Sequence, residues 1–419
     1  MPDAQPPLLS VLLPTRNRLD YLRYAVETVR RQDDGDWELV VSDNDSEEDI
    51  AGYVSGLADP RIRYVRTASF VPVTDNWNNA LRHSRGRYVV MLGDDDGLMP
   101  GYVAAIRRLS RRFGDPDVIY QSAWLFSYPG VDPSEPEGFL QAHGYAKFLR
   151  GATAPFELDR ATARKMVAHA MRFQLRYGFN MQFSTVSRRL IDELAPQGPF
   201  FQSAFPDYFA TNVAFLTAQK IVVTPQPLVM IGVTPKSYGF FHLNAQEQAG
   251  KAFLEAEGDA AAAGGALALA EMPGTNINTG WLSALEAIAA RYPALAPAAP
   301  DRRRFRVLQA VHVYEGHFLG GTLPAEQVAA VDRHLRPWER RLARAAVRAC
   351  KVAGPRLPPR VSQAFHNFFF GLVLGQFIAW DPPKVRGSYR TLLDVFERPP
   401  PPPPVAHGQL HHRLRRTTV

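Results

Sequence analysis

The chain has 419 residues, enough for two or three domains, and 46% are apolar against 21% charged, the balance of a globular protein with a sizeable core. Its 48 Lys and Arg outnumber 41 Asp and Glu, for a net charge of +7, which favours anionic partners such as nucleotide diphosphates or anionic lipid. A single cysteine, Cys350, excludes a disulfide framework and a Cys-based zinc site. With the polar, proline-rich opening at 1–7, unlike a signal peptide, it predicts a cytoplasmic location.

Two periodicities alternate over the first 120 residues. Residues 8–13 (LLSVLL) read as a buried strand. Leu19, Leu22, Val26 and Val29 then recur at helical spacing, with Asp20 as the expected N-cap. Strands are expected at 37–41, 62–65, 88–92 and 117–120. Between them, Trp77, Leu81 and Ser84 mark a short helix. Tyr102, Ile106, Leu109 and Phe113 mark a longer one, whose Arg107, Arg108, Arg111 and Arg112 form a solvated face. Such alternation implies right-handed crossovers and a mostly parallel sheet flanked by helices, an α/β, Rossmann-like fold.

Beyond residue 130 the pattern loosens. Helices are predicted at 161–173 and 208–216, a strand at 181–187, and two strands, 221–223 and 228–231, separated by proline turns. From about 244 the chain turns alanine-rich and helical, with no strand signal. The division expected is 1–244 as a catalytic domain, 245–397 as an α-helical C-terminal domain, and 398–419 as a proline-rich, basic, disordered tail. The apolar window 368–374 (FFFGLVL) is interrupted by Gln363, His366, Asn367 and Gln376. It is too short to span a bilayer, and reads as a buried helix or an interfacial contact beside Arg360, Lys384 and Arg386.

Ligands of an open parallel sheet bind beyond the carboxyl ends of its strands, and three polar clusters fall there. They are Pro14-Thr15-Arg16-Asn17-Arg18, Ser42-Asp43-Asn44-Asp45-Ser46, and Gly93-Asp94-Asp95-Asp96-Gly97. Three adjacent carboxylates repel one another unless a cation neutralises them. Hard oxygen ligands suit Mg²⁺ or Mn²⁺, held by one or two carboxylates plus substrate phosphates. The alternative for each cluster is a polar turn with a helix cap.

In order, SVLLPTRNR, ELVVSDNDSEED and GRYVVMLGDDDGLMP resemble the opening strands and metal-binding segment of glycosyltransferase family 2, inverting enzymes of GT-A fold. The resemblance is strong over about 8–115 and weaker to about 240. It implies that Pro14, Thr15 and Arg16 cradle a nucleoside, that Asp43 and Asn44 lie at the base, and that Asp94 lies near the ribose. It makes Asp95 the first metal ligand and Asp96 the second. The family's usual acidic residues are replaced by Asn44, Gly93 and Pro206.

The same resemblance makes Asp207, in FPDY, the general base; the alternative is a helix N-cap. It places Lys236 in a loop closing over the donor and His242 as a further metal ligand or a packed residue. Asn76-Trp77-Asn78 lies near the diphosphate, with Trp77 equally suited to the core.

The implied reaction moves a sugar from a nucleoside diphosphate sugar, with UDP as the expected nucleotide, to a glycan or lipid-linked glycan, with Mn²⁺ or Mg²⁺. A peripheral contact with the inner face of the membrane would suit such an acceptor. Alternatives are a catalytically inactive scaffold or glycan-binding subunit, and a sugar-1-phosphate nucleotidyltransferase. The glycine-free PTRNR turn argues against the second and against a dinucleotide oxidoreductase. Nucleic acid is not expected, because the basic residues follow no binding motif.

Overall fold

The computed structural model describes residues 5–132, 135–143, 152–174, 180–237, 272–274, 276–318, 323–353 and 384–401. The apolar window 368–374, His242 and most of the tail lie outside the described residues.

The apolar runs become strands β1 (Leu9–Thr15), β2 (Trp37–Asp43), β3 (Ile62–Arg66) and β4 (Tyr88–Met91). They pair in parallel in the order β4-β1-β2-β3. The intervening helices are α1 (Leu19–Arg30), α2 (Ile50–Gly56) and α3 (Val73–Arg82). Helix α1 buries Leu22, Ala25, Val26 and Val29, one side of a 3.6-residue repeat. Its N-cap is Arg18 rather than Asp20, which lies inside the first turn.

After β4 the chain makes a two-residue strand β5 (Gly97–Leu98), helix α4 (Tyr102–Phe113) and a long strand β6 (Val118–Ser127). Helix α4 ends at Gly114, whose φ of 64° is a left-handed C-cap that suits glycine. Arg107 is not merely solvated, because it donates to Asp34 at 2.6 Å and Asp36 at 2.9 Å, tying α4 to the turn before β2.

Strands β7 (Phe139–Ala142) and β8 (Phe156–Leu158) precede helix α5 (Arg160–Met171). A 3-10 turn at Met181–Phe183 leads into β9 (Ser184–Ser187), helix α6 (Arg188–Leu194) and helix α7 (Pro206–Thr217). The two strands expected near 221–231 are one, β10 (Ile221–Val233), whose register shifts around Pro227. Proline interrupts the ladder there without ending the strand, because the bulge absorbs its missing N–H.

Strand β9 joins β4 to β6, antiparallel to both, and β10 runs parallel to β6. Two reversals restore the original direction, so the carboxyl ends of β1, β4 and β10 meet at one rim. The result is a mixed α/β sheet flanked by helices, with its parallel half in β1–β4.

Helices α8 (Asn276–Arg291), α9 (Arg302–Phe318), α10 (Ala325–His334) and α11 (Pro337–Ala353) follow. Helix α7 is apolar nearly all round and is buried from Tyr208 to Leu216. Trp281 of α8 stacks on its Tyr208, with centroids 5.4 Å apart. One apolar core runs from β1 through α7 into α8 and α9. The C-terminal stretch then returns to the sheet. A two-residue strand β11 (Val385–Arg386), without a signal in the sequence, pairs antiparallel with β7. Helix α12 (Leu392–Glu397) buries Leu392 and Val395 with Phe126, Tyr128 and Met230.

Candidate active site

At the rim where β1, β4 and β10 end lies a cleft of about 890 Å³. Pro14, Thr15 and Arg16 line it from the first turn, Asn44 from the second, and Asp94, Asp95 and Asp96 from the third. Lys236 lies on the side of β10. The predicted clusters therefore meet in space. Asp43 is the exception and does not line the cleft. Its fully buried carboxylate accepts from Tyr64 (2.7 Å), Arg66 (3.1 Å) and the Ser46 N–H (2.9 Å), which braces the end of β2.

The first turn is held by Asn17, at φ 52°, a left-handed conformation that asparagine tolerates. Its side-chain oxygen accepts the Glu47 N–H at 2.8 Å and its carbonyl accepts from Lys236 Nζ at 3.0 Å. This aims Arg18 at the carboxylates: its Nη1 donates to Asp94 Oδ1 (3.0 Å) and Asp95 Oδ2 (3.3 Å). Its Nη2 donates to the carbonyl of Lys236, closing a reciprocal clasp between the β1 and β10 turns.

All three aspartates are nearly inaccessible, and their hydrogen bonds differ. Asp94 Oδ2 accepts from Thr15 Oγ1 at 2.8 Å. Asp95 Oδ2 also accepts from Thr234 Oγ1 (3.3 Å) and Ser237 Oγ. Asp96 accepts from the Gly93 N–H (2.9 Å), Gln182 Nε2 (2.6 Å) and the Gly232 N–H (2.8 Å). Five of the six carboxylate oxygens are thus engaged. Among the described residues, Asp95 Oδ1 alone accepts no hydrogen bond.

Burial raises the Asp94 carboxyl, against the pull of Arg18. Burial, followed by the charge of Asp95, pushes Asp96 up to about 8, against its three N–H donors. Burial by itself would lower Arg18, but the charges of Asp94 and Asp95 outweigh it and hold the guanidinium above its usual value.

Gly93 stands where the family resemblance expects an acid. A Cβ there would lie 2.6 Å from Asp96 Oδ2, so glycine makes room for the carboxylate that its own N–H anchors. Gly232 is needed more sharply, because a Cβ would lie 1.7 Å from the Asp95 carbonyl oxygen. A glycine inside an apolar strand marks such a backbone approach; that was the available signal for the β10 side of the site. Thr234 and Ser237 follow a strand as the other polar clusters do. Gln182 has no comparable signal.

Asn44 lines the cleft with its amide already committed: Oδ1 accepts the Val71 N–H (2.9 Å) and Nδ2 donates to the Val71 carbonyl (2.8 Å). It fixes the loop carrying Phe70, over whose ring Arg16 lies at 4.0 Å. Trp77 lines the cleft and also packs, meeting Phe201 edge-on at 5.2 Å.

Asp207 is not an N-cap. The cap of α7 is Phe205, with Pro206 first in the helix, and Asp207 Oδ1 accepts from the adjacent Tyr208 N–H at 2.8 Å. It is half-buried, does not line the cleft, and is pushed up to about 6 by burial. Its helix reaches the aspartates indirectly, since Thr211 contacts Met181, next to Gln182.

The donor set fits a hard divalent cation in one respect: Asp95 offers an oxygen ligand on the cleft, and diphosphate oxygens could complete the shell. Asp96 is less available, its oxygens being taken by three donors. No group of three His, Cys, Asp or Glu side chains poised around a metal occurs among the described residues.

Residues 10–155 match the sequence profile "Glycosyl transferase family 2". This stretch is similar to family 2 glycosyl transferase domains. The chain is 36% identical over 103 residues to the GalNAc(5)-diNAcBac-PP-undecaprenol beta-1,3-glucosyltransferase of Campylobacter jejuni, covering 24% of this chain and 33% of that protein. It is 28% identical over 89 residues to the UDP-Glc:alpha-D-GlcNAc-diphosphoundecaprenol beta-1,3-glucosyltransferase WfgD of Escherichia coli, covering 21% and 35%. The aligned part thus spans about a third of each of these relatives. Among solved structures, S. aureus TarS 1-349 aligns over 81% of this chain and 91% of that one, at 16% identity and a TM-score of 0.45.

Proposed function

We propose that the protein transfers a sugar from a nucleoside diphosphate sugar, a UDP-sugar, to a hydroxyl of a glycan carried on a polyprenyl diphosphate, with inversion. The observation that carries this reading is Asp95 Oδ1, the one oxygen of the aspartate cluster left unengaged among the described residues, in a cleft bordered by Arg16, Arg18 and Lys236. The matched domain and the activities of the two relatives support the substrate class. A lipid-linked acceptor would put the enzyme at the inner face of the membrane, where nucleotide sugars are available. Residues 1–244 would form the catalytic part, with the later helices as its support.

In this mechanism Pro14, Thr15 and Arg16 bind the nucleoside, and Lys236 meets the diphosphate. Mn²⁺ or Mg²⁺, held by Asp95 with Asp96 behind it, would neutralise charge on the departing diphosphate. Asp207 takes the acceptor proton as the hydroxyl oxygen attacks the anomeric carbon and the bond to the diphosphate breaks. Its raised carboxyl suits a base working near neutrality.

The test is product analysis with a panel of UDP-sugars and polyprenyl-diphosphate glycans, with and without chelator. Turnover should require the divalent ion and be lost in Asp95→Asn, whose melting temperature should stay close to that of the parent. Full turnover in excess chelator would reject the metal role. No transfer from any nucleotide sugar would reject the reading as a whole.

A further inference from the structure

Helix α11 has two apolar stripes where one would suffice to anchor it. The inward stripe is Ala343 and Val347, both buried, beside the buried Glu339, which is paired to Arg306 at 3.2 Å. The outward stripe is Trp338, Leu342, Ala345 and Ala349, spaced four, three and four residues apart, and therefore on one face. Trp338 is 41% exposed and Leu342 56%.

Charge surrounds that ridge on one side of neutrality only. Arg341 and Arg348 on α11, and Arg333 and Arg336 just before it, are exposed, and none forms an ion pair among the described residues. The acids of 332–353 are Asp332 and Glu339 alone. Both are neutralised, Asp332 by Arg344 and Glu339 by Arg306. Arg303 lies over the Trp338 ring at 4.5 Å, adding a further cation beside the ridge.

We propose that this face of α11 is an interfacial contact with an anionic phospholipid surface. A tryptophan and a leucine flanked by arginines match a headgroup boundary, where the apolar ridge enters and the guanidinium groups stay with the phosphates. A second copy of the chain fits less well, because pairing this face with itself would set arginine against arginine. Nucleic acid would leave the Leu342 ridge unused. No described helix is long and apolar enough to cross a bilayer, so the contact is peripheral. It does not depend on the transfer chemistry proposed above, and its test contains no sugar donor or acceptor.

The experiment is flotation of the full chain with vesicles of phosphatidylcholine alone or mixed with phosphatidylglycerol. Binding is expected only to the anionic vesicles, with release by high salt. Each arginine near an anionic surface is worth about fivefold in partitioning, so Arg341→Gln/Arg348→Gln should weaken binding about 30-fold. Trp338→Gln/Leu342→Gln should weaken it at low salt as well, and circular dichroism should show both variants folded. Equal binding to neutral vesicles, or parental binding by both variants, would overturn the proposal. So would a dimer in solution that Trp338→Gln/Leu342→Gln converts to monomer without any change in flotation.

Discussion

At Gly232 two backbones touch, and the Asp95 carbonyl leaves no room for a methyl group. Gly232→Ala should therefore cost more than about 4 kcal/mol, in the exceptional range reserved for severe steric or polar defects. Gly56, with open space around it, is the control, and Gly56→Ala should be neutral or slightly stabilising. Urea melts of the two variants decide the point. Asp207 makes a different kind of prediction. Its folded carboxyl is near 6 against an ordinary 3.8. Between those values the folded state holds the proton more tightly, so this group's contribution to stability falls as pH rises from about 4 to 6. Asp207→Asn should remove that slope from the pH dependence of the melting temperature. If Asp207 is the base, parental turnover should also fall below about pH 6, and the variant should lose about 10²-fold or more in kcat. A variant that keeps both the slope and the turnover would dispose of both claims. The aspartate run was visible in the sequence because like charges side by side demand an explanation. Thr234 and Ser237 showed only their place after a strand, and Gln182 showed nothing, because a hydroxyl or amide acquires its meaning from a partner 86 to 142 residues away.

Elements were legible in proportion to their length and apolar period. Strands β1–β4 and helices α1, α4 and α7 emerged near their expected positions, while β5 and β11, two residues each, carry no period to read. Strand β10 was read as two because prolines usually end strands, and here a bulge accommodates them. The C-terminal return shows what such short elements contribute. Helix α12 is capped by Thr391 and Asp394 in a capping box, and Arg386 donates to Glu135 at 2.7 Å. Its Leu392 and Val395 are fully buried. Removing 402–419 should leave the melting temperature unchanged. Leu392→Ala should cost about 2–5 kcal/mol, the usual range for a buried leucine. A small effect of the substitution in a urea melt would mean that α12 rests on the surface without supporting it.

On the scale of the molecule, the boundary expected at 244 separates elements that share one core. Tyr208 and Phe209 of α7 pack on Trp281 and Tyr292 of the α8 region. A fragment of 1–244 would leave that face of α7 bare. It should aggregate or bind a hydrophobic dye, whereas the intact chain should unfold in one calorimetric transition. A monodisperse, cooperatively melting fragment would instead establish two independent domains. The boundary at 244 was read from a change in composition, and composition does not report which surfaces meet.

The hydrogen bonds of Asp95 and Asp96 to 232–237 also set an order of events during biosynthesis. Gly232, Thr234 and Ser237 lie 136, 139 and 142 residues beyond the aspartates they bind. When residue 96 leaves the ribosome, those donors do not yet exist, and the acidic turn stays solvated. The parallel core of β1, β2 and β4 can assemble first, but the aspartates reach their final arrangement only after β10 docks on β6. Contacts of such long range form late and slowly. A nascent chain stalled before residue 237 can therefore hold a sheet without holding the site.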